Sequence, residues 1–276
     1  MKQPEIYIHV GLGRTGSTFL QHRVFPKIEG VYYRRNVKFK KAKKVIPEGK
    51  AEKYLISGEL DNRIMESYLK PFSDPYSYAK PILVLRRHDE WIASQHRRYI
   101  KNGYRWRFGE FFDLEDERVY WTEKELYYFP VIQLLEKYFQ QKPLVLLYDD
   151  LRKDPKAFIS RIVDYMGAEI DLDTVDFSAK HPSYREKQLR AIYSAAGVIN
   201  LKKHKPYSKK WKNVILNLWV NAVRYAILYL SILLPRSFLT KEEIFPTQEQ
   251  LRAIREHYHE DWEQCAAYAT DTHANR

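Results

Sequence analysis

The sequence GLGRTGST at residues 11–18 follows directly on the apolar run Ile6-Tyr7-Ile8-His9-Val10. A strand, a glycine turn and a helix N-terminus in that order form an anion site, because backbone N–H groups and the positive end of the helix dipole converge at the turn. The loop nearly spells G-x-x-x-x-G-K-[ST], in which the lysine reaches the β and γ phosphates of a nucleotide and the hydroxyl binds the bridging metal. Here Ser17 stands in the lysine's place. The loop therefore suits a phosphate without a triphosphate tail. Its one early cation, Arg14, suits a ligand whose negative charge lies close to the loop mouth.

The pattern downstream of the loop extends this reading. Apolar runs rich in branched residues recur at 6–10, 54–57, 82–85 and 144–147, separated by stretches long enough for crossover helices. They predict an α/β fold, a P-loop-like parallel sheet flanked by helices, with residues 1–200 as the core and 201–276 as a helical extension. Ligands bind at the carboxyl ends of such strands. That directs attention to 11–18, Gly58-Glu59, Arg86-Arg87 and Tyr148-Asp149-Asp150. The lysine-rich stretch 38–50 reads as a surface loop. The aromatic-dense stretch 103–138 reads mainly as core or interface filler, with a minority of rings able to stack on a sugar. Asp154-Pro155 opens a helix to Met166, ended by Gly167 at the C-cap.

Composition bounds the partners. With 276 residues, 45% of them hydrophobic, the chain can bury one sizeable core. A formal charge of +12 favours an anionic partner, whether nucleotide, acidic glycan, anionic membrane surface or nucleic acid. The single cysteine, Cys265, excludes an intramolecular disulfide framework and a thiolate zinc cluster, and it fits a reducing compartment. The N-terminus enters a strand pattern without an apolar signal segment, so the expected location is cytoplasmic.

A second constellation is ILVLRRHDEWIASQHRRY at 82–99, where a strand delivers Arg86 and the following helix carries Ser94. An arginine fork and a hydroxyl about two turns into a helix can converge on one phosphate monoester. Taken alone, Arg86 is as well explained by a structural salt bridge. Together with the lysine-free loop, the pair implies a ligand phosphorylated at two ends.

On these residues the chain resembles the sulfotransferases that use 3′-phosphoadenosine 5′-phosphosulfate (PAPS). GLGRTGSTFLQ is similar to their 5′-phosphosulfate loop, LRRHDEWIASQ to their 3′-phosphate segment, and LVLLYDDLRKDPKAFISRIVDYMG at 144–167 to their later strand and helix. The resemblance covers roughly residues 1–190 in the family's order. It implies a P-loop-like α/β fold, binding of PAPS as co-substrate through Arg14, Thr15, Gly16, Ser17, Thr18, Arg86 and Ser94, and sulfuryl transfer to an acceptor hydroxyl or amine without a metal. The family generally has lysine where Arg14 stands, and aspartate-proline where Arg87-His88-Asp89 follows Arg86. Arginine keeps the charge but does not surrender a proton, so Arg14 stabilises the leaving group electrostatically. Members of the family often use a glutamate or histidine base. Glu59, at a strand's end in LISGELDN, is the first candidate, and His9, inside the first strand, the second. Ser183, Tyr184 and Arg185 fall where many relatives have a loop contacting the nucleotide, although Ser183 reads equally as an N-cap for a helix beginning near Glu186.

Residues 214–234, VILNLWVNAVRYAILYLSILL, follow the basic clusters Lys202-Lys203-His204-Lys205 and Lys209-Lys210-Trp211-Lys212. Asn217, Asn221, Arg224 and Ser231 fall on one helical stripe and leave a wide apolar face. Length permits a span, but a mid-bilayer arginine costs at least about 2.5 kcal/mol. The helix 211–234 thus reads as docked on protein, as an in-plane peripheral membrane anchor, or as a span. An anchor suits a glycan or lipid-linked acceptor. The leading expectation is a PAPS-dependent sulfotransferase acting on a carbohydrate or glycolipid hydroxyl. The alternatives are a deviant P-loop kinase, and a non-enzymatic module docking on a membrane or nucleic acid; the basic clusters lack the aromatic alternation of nucleic-acid readers, so no nucleic-acid partner is expected.

Overall fold

The computed structural model describes residues 3–35, 39, 46, 51–178, 184–203, 205–235, 239–240 and 242–274. The strands β1 (Glu5–Gly11), β2 (Val31–Arg35), β3 (Lys53–Ser57), β4 (Lys80–Leu85) and β5 (Leu144–Leu147) form one parallel sheet in the order β2-β3-β1-β4-β5. Four of them coincide with the apolar runs. At the centre, Ile6, Tyr7, Ile8 and Val10 are all buried, as expected of a strand covered on both faces. β2 escapes the sequence pattern because VYYRR has one aliphatic residue and ends in two arginines. It is an edge strand, half-buried at Val31–Tyr33 and exposed at its arginines, so an unbroken apolar run is not required there. Most of the lysine-rich stretch 38–50 lies outside the described residues.

The helices are α1 (Ser17–Phe19), α2 (Asn62–Tyr76), α3 (His88–Lys101), α4 (Phe108–Phe111), α5 (Phe129–Tyr138), α6 (Tyr148–Lys153), α7 (Pro155–Met166), α8 (Glu186–Ala195), α9 (Lys210–Leu230), α10 (Gln248–His257) and α11 (His259–Ala274). The chain divides into two compact units, one made of residues 1–91, 124–180 and 255–276, the other of 92–123 and 181–254. The division expected near residue 200 does not describe this chain, since its last helix belongs with the sheet.

In the first unit, Tyr7, Leu55, Val84 and Leu146 of the sheet pack with Phe158, Ile162 and Met166 of α7. α7 has the ends its sequence predicts. Asp154 Oδ1 accepts from Ala157 N at 3.0 Å, Pro155 occupies the first turn, and Gly167 closes the helix at φ 52°. At that end Met166 O accepts from Tyr7 OH (3.1 Å) and Lys53 Nζ (2.9 Å), placing a cation at the negative pole of the helix.

A second knot ties α11 into the same unit. Asp261, buried, accepts from Tyr128 N (2.8 Å) and Phe129 N (3.0 Å) at the start of α5, and it faces His88 Nε2 at 3.0 Å. The His88 ring lies stacked with Tyr128 at 4.1 Å and Tyr258 at 4.5 Å. Burial holds its pKa below the ordinary value, against the pull of Asp261.

In the second unit, Ile100, Leu189, Ile192, Leu228 and Ile244 form the apolar centre. The aromatic-dense stretch packs on itself, with Trp106 stacked on Tyr120 at 4.4 Å, Phe111 on Tyr120 at 5.5 Å, and Tyr99 and Tyr120 joined OH to OH at 2.7 Å. His96 is buried here, bonded to Trp106 O at 2.8 Å, and burial lowers its pKa to about 4.

Three histidines, His9 and His88 in the first unit and His96 in the second, are buried with pKa values depressed below 6.5. For a base with a depressed folded-state pKa, stability is fully present above the unfolded value and is lost as pH falls below it, because only the unfolded chain takes the proton. The thermal midpoint therefore falls as pH is lowered from 6.5 towards 4, each histidine contributing up to about 1.4 kcal/mol per pH unit. Calorimetry across that range checks it; a midpoint that holds steady contradicts the neutral buried rings.

Candidate active site

The candidate site lies in the first unit, at the carboxyl ends of β1, β3 and β4. β3 stays beside β1 beyond its own ladder, through Gly58 N to His9 O (2.9 Å) and Leu60 N to Val10 O (3.0 Å). Glu59, exposed, sits between these two anchors. The approach requires Gly11, at φ 124°, since a Cβ there would meet Leu60 O at 2.9 Å and Leu60 N at 3.2 Å. On the other flank, Leu12 N donates to Val84 O at 3.2 Å.

Within the loop, carbonyls face the protein. Leu12 O accepts from Thr15 Oγ1 at 2.5 Å and Ser17 Oγ at 2.9 Å, and Gly13 O accepts from the buried Trp91 Nε1 at 2.9 Å. Arg14 and Gly16 both take positive φ, 75° and 86°. A Cβ on Gly16 would sit 2.5 Å from Leu151 Cδ2. The helix that follows is one α turn, Ser17–Phe19, which widens into a π turn over Leu20–Val24 and tightens over Phe25–Lys27.

The cations gather beside the loop. Arg86 donates through Nε (3.1 Å) and Nη2 (2.9 Å) to Glu90 Oε2, lies over the Tyr148 ring at 4.8 Å, and brings Nη1 to 3.5 Å from Arg14 O. Glu90 also receives Arg87 Nη2 and Arg152 Nη1, each at 3.4 Å. Arg87 is also held by Asp89, and Arg152 lies 3.6 Å from Asp149, so three guanidiniums and three carboxylates gather at the sheet's ligand edge. Neighbouring Asp89 is buried; burial alone would raise its pKa, but hydrogen bonds from Arg87 (2.8 Å) and Arg255 (2.7 Å) hold it below the carboxylate range.

These positions refine the sequence reading. Arg14, Thr15–Thr18 (residues 15–18), Glu59 and Arg86 share the first unit, whereas Ser94, Tyr184 and Arg185 belong to the second. Ser94 is buried within α3. Tyr184 gives its carbonyl to Arg97 and its ring to Lys101 Nζ at 5.0 Å, while Arg185 N donates to Gln188 Oε1 at 2.9 Å ahead of α8. Ser183 lies outside the described residues. The hydroxyls of Thr15 and Ser17 are both turned inward onto Leu12 O. His9 lies in the buried part of β1. It is fully buried, bonded through Nδ1 to Ser57 Oγ (2.8 Å), set edge-on to Phe25, and neutral with a pKa of about 4 from burial. Tyr148 lies in the strand-end segment 148–150 to which the sequence pointed, whereas Glu90 and Arg152 were not singled out; the i,i+4 spacing of Arg86 and Glu90 is the signal that points to the first. Among the described residues, no group of three or more His, Cys, Asp or Glu side chains is placed to hold a metal ion.

No family model matches the chain, and no curated protein matches it in sequence. Among solved structures it is similar to a sulfotransferase from Alicyclobacillus acidocaldarius, at 14% identity and a TM-score of 0.49 over 71% of this chain and 93% of that one. It is also similar to the mouse sulfotransferase SULT7A1 complexed with PAP, at 14% identity and a TM-score of 0.45 over 99% of this chain and 90% of that one.

Arg14→Gly removes a left-handed strain of about 1 kcal/mol and adds chain entropy of similar size, so stability should stay within about 1 kcal/mol while anion affinity drops. Gly11→Ala should cost at least about 2 kcal/mol, since it meets backbone at Leu60 that cannot step aside. Denaturant unfolding of both variants tests the pair, and equal losses would contradict the geometry.

Proposed function

We propose that the chain is a sulfotransferase that uses PAPS as donor and a carbohydrate or lipid-linked glycan hydroxyl as acceptor. The observation that carries this reading is the lysine-free loop with Arg86 brought alongside, its Nη1 3.5 Å from Arg14 O. Triphosphate chemistry needs a lysine reaching past the loop and a hydroxyl held out for a metal. Here the residue at the lysine position is Ser17, 2% exposed and committed to Leu12 O. The guanidiniums of Arg86, Arg87 and Arg152 gathered beside the loop and the resemblance of the two motifs to PAPS-binding segments support the same reading. The net charge of +12 supports an anionic donor and acceptor.

PAPS supplies a sulfuryl group bonded to a phosphate oxygen that can depart as an anion. The chain's part is positioning and charge. Backbone N–H groups of residues 15–18 and the guanidinium of Arg14 hold the phosphate nearest the loop, where negative charge grows as the sulfur–oxygen bond breaks. Arg14 remains protonated throughout. Arg86 exchanges Glu90 for the second phosphate, keeping Tyr148 at its face. Glu59 takes the acceptor's proton as its oxygen bonds to sulfur.

Three measurements test this. 3′-Phosphoadenosine 5′-phosphate should raise the thermal midpoint where ATP with magnesium does not; the reverse result favours the kinase. Glu59→Gln should lower kcat at least about 100-fold with nucleotide affinity kept within about twofold. Arg86→Ala should weaken nucleotide binding by about tenfold or more. Normal turnover by the Glu59 variant would overturn the base assignment.

A further inference from the structure

The helix α9 buries a face of mixed polarity and leaves a strongly apolar face outside. Its buried positions are Asn213, Val220, Arg224 and Leu228, and the polar groups among them are satisfied within the second unit. Arg224 donates to Asn102 Oδ1 at 3.0 Å and to Asn221, Asn213 donates to Tyr207 O at 2.6 Å, and Asn217 donates to Asn213 O at 2.7 Å. At the C-terminal end, Leu228 O accepts from Gln188 Nε2 at 2.9 Å and Ile232 O from Lys187 Nζ at 2.8 Å. The opposite face holds Trp211 (58% exposed), Ile215, Leu218 (62%), Trp219 and Tyr229, continued beyond the helix by Leu233 (82%). Positions 211, 215, 218, 222, 225, 229 and 233 step by three or four, so this is one continuous stripe.

Charge identifies the occupant. No Asp or Glu occurs between Glu186 and Glu242. Lys202, Lys203, Lys205, Lys209, Lys210 and Lys212 are all exposed at the N-terminal approach to the stripe. Tryptophan and tyrosine on the apolar face beside lysines is the composition of a helix lying at a lipid headgroup boundary, where aliphatic stems are buried and ammonium groups reach anionic lipid. A second copy of this chain would bring the same lysines to the rim, with no acidic residue between Glu186 and Glu242 to answer them. A span would require Arg224 and its asparagines to leave Asn102 and enter hydrocarbon.

We infer that α9 docks the protein flat on an anionic phospholipid bilayer, its Asn213–Arg224–Leu228 face held by the protein and the stripe from Trp211 to Leu233 sunk into the interface. No step of the sulfuryl transfer enters this inference. The test is flotation of the full chain with phosphatidylcholine vesicles, with and without phosphatidylserine, alongside sedimentation without vesicles. Binding should require phosphatidylserine and weaken with salt. Leu218→Asp with Trp219→Asp should lower vesicle partitioning at least about tenfold at an unchanged thermal midpoint, since both side chains are exposed. Lys209→Gln, Lys210→Gln and Lys212→Gln should each lower it roughly fivefold. Any of three results overturns the inference: no vesicle binding, a lipid-independent dimer that the Leu218 and Trp219 changes dissolve, or bound protein that resists alkaline carbonate extraction as a spanning helix would.

Discussion

The candidate site depends on how closely two parallel strands run past the end of their ladder. The bonds Gly58 N to His9 O and Leu60 N to Val10 O exist because Gly11 has no Cβ to collide with Leu60. That approach fixes Glu59 at the mouth of the loop formed by residues 11–18. The same central strand, through its neighbour β4, brings Arg86 to the other flank. A strand buried from Ile6 to Gly11 and a missing methyl group thus set the spacing of the candidate side chains.

Around this frame, polar groups are sorted by direction. Thr15, Ser17 and Trp91 use their donors on the loop's carbonyls, which commits those hydroxyls to structure. The guanidiniums of Arg86, Arg87 and Arg152 converge from two strand ends on Glu90. Arg86 makes the closest bonds to Glu90, whereas Arg87 and Arg152 have second carboxylate partners in Asp89 and Asp149. The residues flanking the loop act through charge and shape.

Much of this was legible in the sequence, where periodicity and punctuation were strong. The runs at 6–10, 54–57, 82–85 and 144–147 became strands, and Asp154-Pro155 with Gly167 bounded α7 because caps act locally. What escaped was non-local. β2 lacks an apolar run because it is an edge. His9 could be read as a base or as core from sequence, and only its burial and its bond to Ser57 decide between them. The stripe of Asn217, Asn221 and Arg224 was visible, but nothing local says whether it faces solvent or protein. In the structure Arg224 turns inward to Asn102, which leaves the apolar face outside. The split expected at residue 200 failed because α11 returns to the sheet through Asp261, a partnership across 173 residues with His88.

That return shapes how the protein can be made. The sheet-bearing unit is discontinuous, and its last segment, from Arg255 onward, follows all of the other unit in the chain. Vectorial synthesis therefore releases every strand from the ribosome long before Asp261 emerges to cap α5 and close over His88. During that interval the apolar side of the nascent sheet lacks its final cover. The half that carries the candidate chemistry is completed last, and the unit bearing α9 has the shorter wait for its own partners.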